Sequence, residues 1–533
     1  MPYVVTQSCC SDASCVVACP VNCIHPAPGE PGFLEAEMVY VDAAACVDCG
    51  ACTTACPVGA IKPHTMLEER ELPFIALAEA YYADFPHADR APLAVVTHGE
   101  RVAVAGDFRI AVVGAGPSAM YAADELLKNP GVSVDVFDRL PAPYGLVRAG
   151  VAPDHQRTKQ VEKLFHAIEE QPGFEYFLNV EVGTHVSLDE LHEHYHAVIH
   201  ASGAAHDRPL GIEGEEMAGS ESATAIVGWY NGHPDHQDAY VDLSGERVVV
   251  IGNGNVALDV ARILTSDPAG LAGTDIPSLP LATLRGSAVR EVVVLGRRGP
   301  ENAAFTMPEL IGLAGLTDID LVVDNGIRPI VGDSPKLDLL REIAARPPRE
   351  GARRVVLRFN TAPVRILGDG VVGGLEVTDS LTGERETIEA GMVLRSIGYR
   401  AVEIPGLPFD PETATVPNDA GRVTAGTYVT GWLKRGPRGF IGTNKSCAEE
   451  TVASLVEDIN AGRLAAPPRS REELRLLVRR RRPEVIDLAG WRAIDAAERA
   501  AGLARGSARE KFVEGATIAD TLASSAGGSR RGR

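Results

Sequence analysis

The chain has 533 residues, which at roughly 100–200 residues per domain implies three or four domains and ample core. Its formal net charge of −21 argues against general nucleic-acid or anionic-membrane binding. No apolar run reaches the roughly 18 residues of a membrane helix, and MPYVVTQSCC lacks a leader pattern, so a cytoplasmic protein without membrane insertion is expected.

Nine of the ten cysteines lie between Cys9 and Cys56; the tenth is Cys447. Clustered thiols in a large, unsignalled chain point to metal or redox work and not to a disulfide scaffold. The segment Ala18-Cys19-Pro20-Val21-Asn22-Cys23-Ile24 returns, offset by 37, as Ala55-Cys56-Pro57-Val58-Gly59-Ala60-Ile61. Two half-domains from one duplicated unit is the simplest reading.

The second half reads Cys46-x2-Cys49-x2-Cys52-x3-Cys56-Pro57. Three thiolates on one tight loop suit a cuboidal iron–sulfur cluster, with the fourth cysteine crossing to a second cluster. Zinc also takes four cysteines, but it usually pairs two separate C-x2-C knuckles, so iron–sulfur is favoured. By the repeat, Cys19, Cys46, Cys49 and Cys52 make one complete [4Fe–4S] site. Cys9, Cys15 and Cys56 make the other, with Asp12 where its fourth thiolate would stand. Either Asp12 is an oxygen ligand to a [4Fe–4S] cluster, or that corner is empty and the cluster is [3Fe–4S]. Cys10 and Cys23 read as spare buried thiols, although Cys10 could substitute as a ligand. Residues 1–65 resemble the two-cluster bacterial ferredoxins, particularly the seven-iron type, and the resemblance implies one-electron carriage.

Residues 66–106 form a connector too rich in apolar and aromatic residues for a flexible linker, so packing against a neighbour is expected. From about 107, apolar strands, glycine turns and Ala/Leu-rich stretches alternate, as in α/β layers with a parallel sheet. The run Arg109–Val113 precedes Gly114-Ala115-Gly116-Pro117-Ser118-Ala119, a dinucleotide fingerprint with a small third position. A second strand, Val132 to Phe137, ends in Asp138, nineteen residues past Ala119, where a ribose-binding acid belongs. A second copy runs Val248–Ile251, then Gly252-Asn253-Gly254-Asn255-Val256-Ala257. Its next strand, Glu291–Gly296, ends in Arg297 and Arg298, which suit a 2′-phosphate and hence NADP(H). The alternative is a solvated loop pair.

Two dinucleotide folds, one for NADPH, imply a flavin in the other. The run Tyr144–His155 (YGLVRAGVAPDH), GNGNVALDVAR (252–262), RRGP (297–300) and GWLKRGPRGFIGTNK (431–445) resemble the signatures of adrenodoxin-reductase-type ferredoxin–NADP reductases over about 107–505. The whole order is similar to the ferredoxin-fused reductases of actinobacteria. The fingerprint itself gives Gly114 the tight turn and lets a pyrophosphate approach Gly116, and the resemblance implies FAD contacts from Ala119, Asp138, Leu146, Val182, Trp432, Gly439, Phe440 and Ile441. It implies NADP contacts from Asn253, Gly254, Asn255, Val256, Arg297, Arg298, Glu309 and Gly439, with His155 and Glu309 as catalytic candidates beside the reacting rings. For those two, simple structural positioning is the competing reading, because hydride transfer needs orientation more than acid or base. The glycines from Gly436 to Gly442 would offer backbone N–H groups and a helix start to an anionic flavin.

The expected fold is an α+β two-cluster ferredoxin domain (1–65) and the connector, then α/β: an FAD-binding domain (107–207 and 401–505), an inserted NADP-binding domain (208–400) and a C-terminal tail (506–533). SSAGGSRRGR at the end reads as disordered. His192 to His196 reads as a solvated helix end, not a metal site. The basic run Arg471, Arg475 and Arg479–Arg482 reads as a solvated helix face, or as a dock for an acidic ferredoxin. The expected function is ferredoxin–NADP reductase: hydride from NADPH to FAD, then single electrons to the clusters and to an external ferredoxin or cytochrome P450-type acceptor. A rival is an electron-transfer subunit like the small subunit of glutamate synthase, or a transhydrogenase subunit. A disulfide reductase fails, because no cysteine lies between Cys56 and Cys447.

Overall fold

The computed structural model describes residues 3–88, 91, 93, 94 and 99–529, the last four as backbone only. The first unit comprises β1 (Tyr3–Val5), α1 (Ser14–Ala18), β2 (Ile24–His25), β3 (Tyr40–Val41), α2 (Ala51–Ala55) and β4 (Ile61–Pro63). β1 pairs antiparallel with β4, and β2 with β3. The 37-residue repeat is visible in the backbone. Ser11 and Asp48 have φ of 56° and 58°, Ala13 and Gly50 of 59° and 76°, Asn22 and Gly59 of 47° and 60°. A left-handed conformation costs a non-glycine residue roughly 1–2 kcal/mol, so the packing around each loop holds these turns. The connector supplies α3 (Pro73–Asp84), which buries Phe74, Leu77 and Ala78. Its Tyr82 hydroxyl donates to the Cys23 carbonyl (3.1 Å) and the Tyr40 carbonyl (2.8 Å), which ties the helix to the cysteine unit.

The next sheet is built from β5 (Phe108–Val113), β6 (Val132–Asp138), β7 (Phe174–Leu178) and β8 (Ala197–His200), with α4 (Pro117–Leu127) after β5. The chain then leaves for a second sheet formed by β10 (Ser220–Ser222), β11 (Arg247–Ile251), β12 (Glu291–Leu295), β13 (Ile319–Asp324), β14 (Arg353–Arg358) and β18 (Met392–Arg395). An antiparallel flap, β15 to β17 (361–389), covers part of it. The outward crossing β9 (His206–Asp207) pairs with the returning β19 (Tyr399–Arg400). After the return, β20 (Arg422–Thr424) and β21 (Thr427–Val429) complete the first sheet in the order β20-β21-β8-β5-β6-β7. The second has the order β10-β18-β11-β12-β14-β13, with every pairing parallel. Ile110, Ala111, Val112 and Val248 to Val250 are essentially inaccessible, as continuous apolar strands covered on both faces must be. The architecture is thus an α+β unit followed by two Rossmann-like α/β folds, one inserted in the other.

Two expectations change. Of the end expected to be disordered, residues 524–529 belong to a helix, Gly515–Ser529, and 530–533 lie outside the described residues. Ile518 and Leu522 of that helix join the same apolar cluster as Trp491 and Ile494 of the preceding helix, Leu488–Arg505. Burial of that one apolar edge outweighs the poor composition. Just before it, Lys511 is buried between the two α/β folds, where its Nζ donates to the carbonyls of Arg148 (2.9 Å) and Asn231 (3.0 Å). The histidine run is not solvated either. His194 is buried with Nδ1 2.7 Å from the Ser470 carbonyl, and His196 Nδ1 accepts from the Arg109 N–H at 3.1 Å. Apolar neighbours on both sides drew this helix end inward. Among the described residues no helix is long and apolar enough to cross a membrane.

Candidate functional site

Two cavities open inside the first unit, and the cysteines divide between them. One is lined by Cys9, Cys10, Asp12, Cys15 and Cys56; the other by Cys19, Cys23, Cys46, Cys49 and Cys52. The crossing inferred from the repeat is therefore present in the fold: Cys19 faces the loop of the second half and Cys56 that of the first. The two crossing sulfurs have equivalent surroundings. Cys19 Sγ accepts from the Cys23 N–H and Cys56 Sγ from the Ala60 N–H, each at 3.3 Å. Burial pushes the Cys9 and Cys52 thiols up to about 11. Sulfurs so desolvated become thiolates only beside a strong positive charge, so the donor set fits a metal cluster. The Asp12 carboxylate accepts from the Ser14 hydroxyl and lies 3.7 Å from Cys10 Sγ. The two thiols read as spare, Cys10 and Cys23, both stand at cavity walls.

The two fingerprints adopt one backbone. Gly114 and Gly252 have φ of 107° and 109°. A Cβ would meet the Ala201 carbonyl at 2.5 Å in the first and the Ser396 carbonyl at 2.1 Å in the second, so only glycine turns there. Gly116 and Gly254 cap α4 and the helix Asn255–Thr265 with extended backbone, no side-chain cap and open space beyond the Cα. An uncapped helix start with room for a close approach is a cradle for a phosphate. Ala119 and Val256 lie in the first turns of these two helices.

Around the first cradle, Asp138 accepts from the Ala115 N–H (2.7 Å) and the Leu140 N–H (2.8 Å), while burial holds its carboxyl above the ordinary range. Leu146 follows Tyr144, whose N–H reaches the Ala115 carbonyl at 2.8 Å. Val182 comes two residues after Val180, whose N–H donates to the Asp138 carbonyl. The loop carrying Trp432 and Gly439 to Ile441 is tied over α4 by a 2.7 Å bond from the Ser118 hydroxyl to Asn444. Cys447 anchors its start, accepting from the Gly431 N–H at 3.2 Å. Asp138 and the turn before Leu146 thus bond to Ala115 of the cradle, and the 431–445 segment is fastened to α4 beside it. The glycine run behaves differently from expectation in one respect: the Gly442 N–H is taken by the Cys10 carbonyl at 2.7 Å, and the Phe440 N–H by Thr443 Oγ1. Helix Thr443–Asn460 thus starts against the cysteine unit.

At the second cradle, Asn253 Oδ1 accepts from the Ala304 N–H and Asn255 Oδ1 from the Thr306 N–H, which joins the fingerprint to the segment before Glu309. Arg297 and Arg298 are exposed at the end of β12, and among the described residues neither guanidinium finds an acceptor. Between the folds, His155 Nε2 lies 4.0 Å from Glu309 Oε2, and Asp259 completes a cluster whose ligand atoms are all within 4.8 Å of one another. Burial, with the Glu309 charge behind it, pushes Asp259 up to about 7. Arg262, one helical turn on from Asp259, donates to Asp259 Oδ1 and also pairs with Asp154 beside His155. Gln7 of the cysteine unit donates to Glu309 Oε2 at 3.0 Å. Asp259 is in the GNGNVALDVAR segment already singled out, and its position one turn from the fingerprint was the only signal. Nothing in the sequence pointed to Gln7. The basic run is largely neutralised: Arg471 pairs with Asp135, Arg475 with Glu175, Arg481 with Glu190 and Arg482 with Glu484, which leaves Arg479 and Arg480 without an ion pair among the described residues.

A probable ferredoxin/ferredoxin–NADP reductase of Mycobacterium tuberculosis is 52% identical, over 98% of this chain and 95% of its own length. The chain belongs to the ferredoxin/ferredoxin–NADP reductase family. The mitochondrial NADPH:adrenodoxin oxidoreductase of Arabidopsis thaliana is 38% identical over 78% of this chain and 95% of its own. Among solved structures, FprA of Mycobacterium tuberculosis in complex with NADPH superposes with a TM-score of 0.73 at 44% identity, covering 78% of this chain and 98% of FprA. The 4Fe-4S binding domain family matches residues 39–62, and the pyridine nucleotide-disulphide oxidoreductase family matches 108–276. No reductase-fold cysteine pair accompanies the second match, since Cys447 is the one cysteine after Cys56.

Proposed function

We propose that this chain is an NADPH-dependent ferredoxin reductase carrying its own two-cluster ferredoxin, working in the cytoplasm. NADPH is oxidised to NADP⁺ with release of one proton, and two one-electron acceptors, external ferredoxins or cytochrome P450-type systems, are each reduced once. FAD, when bound, supplies the change from two-electron to one-electron chemistry, and the clusters carry single electrons. Cys19, Cys46, Cys49 and Cys52 would hold a [4Fe–4S] cluster. Cys9, Cys15 and Cys56 would hold a [3Fe–4S] cluster, a reading supported by the Asp12 carboxylate being engaged with Ser14 and Cys10.

Ala119, Asp138, Leu146, Val182, Trp432 and Gly439–Ile441 would enclose FAD, with its pyrophosphate on the α4 start. Asn253–Val256, Arg297, Arg298 and Gly439 would hold NADP(H), and the two free guanidiniums would select the 2′-phosphate. His155 and Glu309 orient the reacting rings. Asp259 beside them is held by Arg262, and Gln7 fixes the Glu309 carboxylate.

The observation that carries the reading is the 2.7 Å bond from the Gly442 N–H to the Cys10 carbonyl, which joins the loop over the first cradle to the wall of a cysteine cavity. Anaerobic NADPH titration, followed by visible absorbance and cluster EPR, tests it. Bleaching of a flavin band followed by cluster reduction is expected. A flavin that bleaches beside clusters that stay oxidised would refute the internal relay.

A further inference from the structure

The two cysteine cavities share a backbone but not a neighbourhood. The first is closed by the reductase folds. Gly442 leaves no room for a Cβ, which would stand 2.2 Å from the Asp12 nitrogen, and Lys445 Nζ reaches the Asp12 carbonyl at 3.5 Å. Burial holds the Tyr121 phenol of α4 well above its usual pKa on this side of the loop. Gln7 on Glu309, and the Met307 N–H on Glu37 (2.7 Å), seal the adjoining side. No external protein can reach that loop without displacing the built-in contact.

The second cavity is lined only by residues 3 to 52, and its loop faces outward. Cys49 and Asp48 are exposed, Val47 is 58% exposed, and among the described residues no cation pairs with Asp48. The surrounding unit is strongly acidic: residues 1–84 carry eleven carboxylates against Lys62 and Arg70. Both cations are already engaged, Lys62 with Glu71 (2.7 Å) and Arg70 with Glu68 (2.8 Å).

We propose that a one-electron acceptor protein with a basic face docks on the Cys46–Cys52 loop around Val47, Asp48 and Cys49, and takes its electron there. An exposed apolar residue beside an unpaired carboxylate, over a buried redox centre, is a small contact core with an electrostatic rim. A cluster held by Cys19, Cys46, Cys49 and Cys52 would supply the single electron that the acceptor gains, with no bond broken and no proton moved. The docking face is an addition to the proposed function and rests on it for the cluster in that loop.

The test uses the full-length, cofactor-loaded protein and cytochrome c, a small basic haem protein, as the probe. Calorimetric titration of oxidised cytochrome c at low salt is run on the parent, on Asp48→Asn alone, on Val47→Lys combined with Asp48→Asn, and on the pair Arg479→Glu with Arg480→Glu. Asparagine keeps the left-handed backbone that Asp48 adopts, so that variant removes charge without strain. Val47→Lys together with Asp48→Asn is expected to raise the cytochrome Kd about tenfold, a difference that 0.5 M salt, about 4 Å of screening length, erases. NADPH-driven ferricyanide reduction and cluster EPR should stay at parental levels in these variants. An unchanged Kd in the loop variants, or a Kd that moves only with the arginine pair, would overturn the proposal. Clusters that stay oxidised under NADPH in the parent would sink the relay reading instead, and the cytochrome titration would still judge the docking face.

Discussion

The loop at residues 9–19 and the loop at 46–56 are one backbone used twice. Their left-handed residues, their short helices and the N–H groups on their crossing cysteines coincide at an offset of 37. What differs is chemistry at one corner, Asp12 against Cys49, and surroundings: one loop presses on Gly442, the other meets solvent. The two dinucleotide folds repeat the lesson. Their glycine turns coincide, while the second strand ends in a half-buried Asp138 in one and, in the other, in exposed Arg297 and Arg298 that find no acceptor among the described residues. Duplication conserved backbone geometry, and side chains at the edges set the division of labour.

The largest effect should follow from removing the thiolate that Asp12 replaces in the other loop. Cys49→Ser is expected to lose the four-thiolate cluster, leaving about half the iron per chain by colorimetric assay, with loss of the [4Fe–4S] EPR signal. Retained iron and signal would mean that the cluster does not need the Cys49 thiolate, and loss of all the iron that the loops are not independent sites. Next, Gly442→Val drives side-chain atoms into the Ser11–Asp12 backbone. Overpacking of that kind costs about 1–3 kcal/mol. Cytochrome c reduction should fall while ferricyanide reduction persists, and equal loss of both would deny the first loop its contact role.

Arg298→Ala, tested alone and with Arg297→Ala, sharpens the comparison of the nucleotide folds. Loss of charge-assisted phosphate bonds at roughly 2 kcal/mol would raise KM for NADPH about thirtyfold and leave KM for NADH in place. Parallel rises in both would remove the 2′-phosphate assignment. Asp12→Cys should supply the missing thiolate and add one iron per chain, with loss of the EPR signal of an oxidised [3Fe–4S] centre. An unchanged iron count would show that this site already held four.

The smallest effect is a pH slope. The folded state keeps Asp259 protonated up to about 7, whereas the unfolded chain releases that proton near 4. The native state therefore binds more protons in between, so this group's contribution to stability falls as pH rises from about 4 to about 7. Asp259→Asn should flatten that part of a Tm-against-pH curve, and identical curves would put the shift elsewhere.

Much of this protein was legible in one dimension, because the features concerned are short-range. Cysteine spacing, a 37-residue repeat and two glycine turns, each after an apolar strand, are local patterns with local geometric consequences, and they carried the two cavities and both cradles. The helix over Gly515–Ser529, the inward turn of His194 and the burial of Lys511 were not legible. Each depends on an apolar or hydrogen-bonding partner far along the chain, which composition does not report. The same holds for the site. Residue types and spacing determined which side chains could bind clusters, flavin and nucleotide. Only the tertiary structure decided that Gln7 meets Glu309, that Gly442 closes the first loop and that Cys49 faces outward. Contacts between segments hundreds of residues apart arise from how whole faces pack, and a linear pattern carries no term for that.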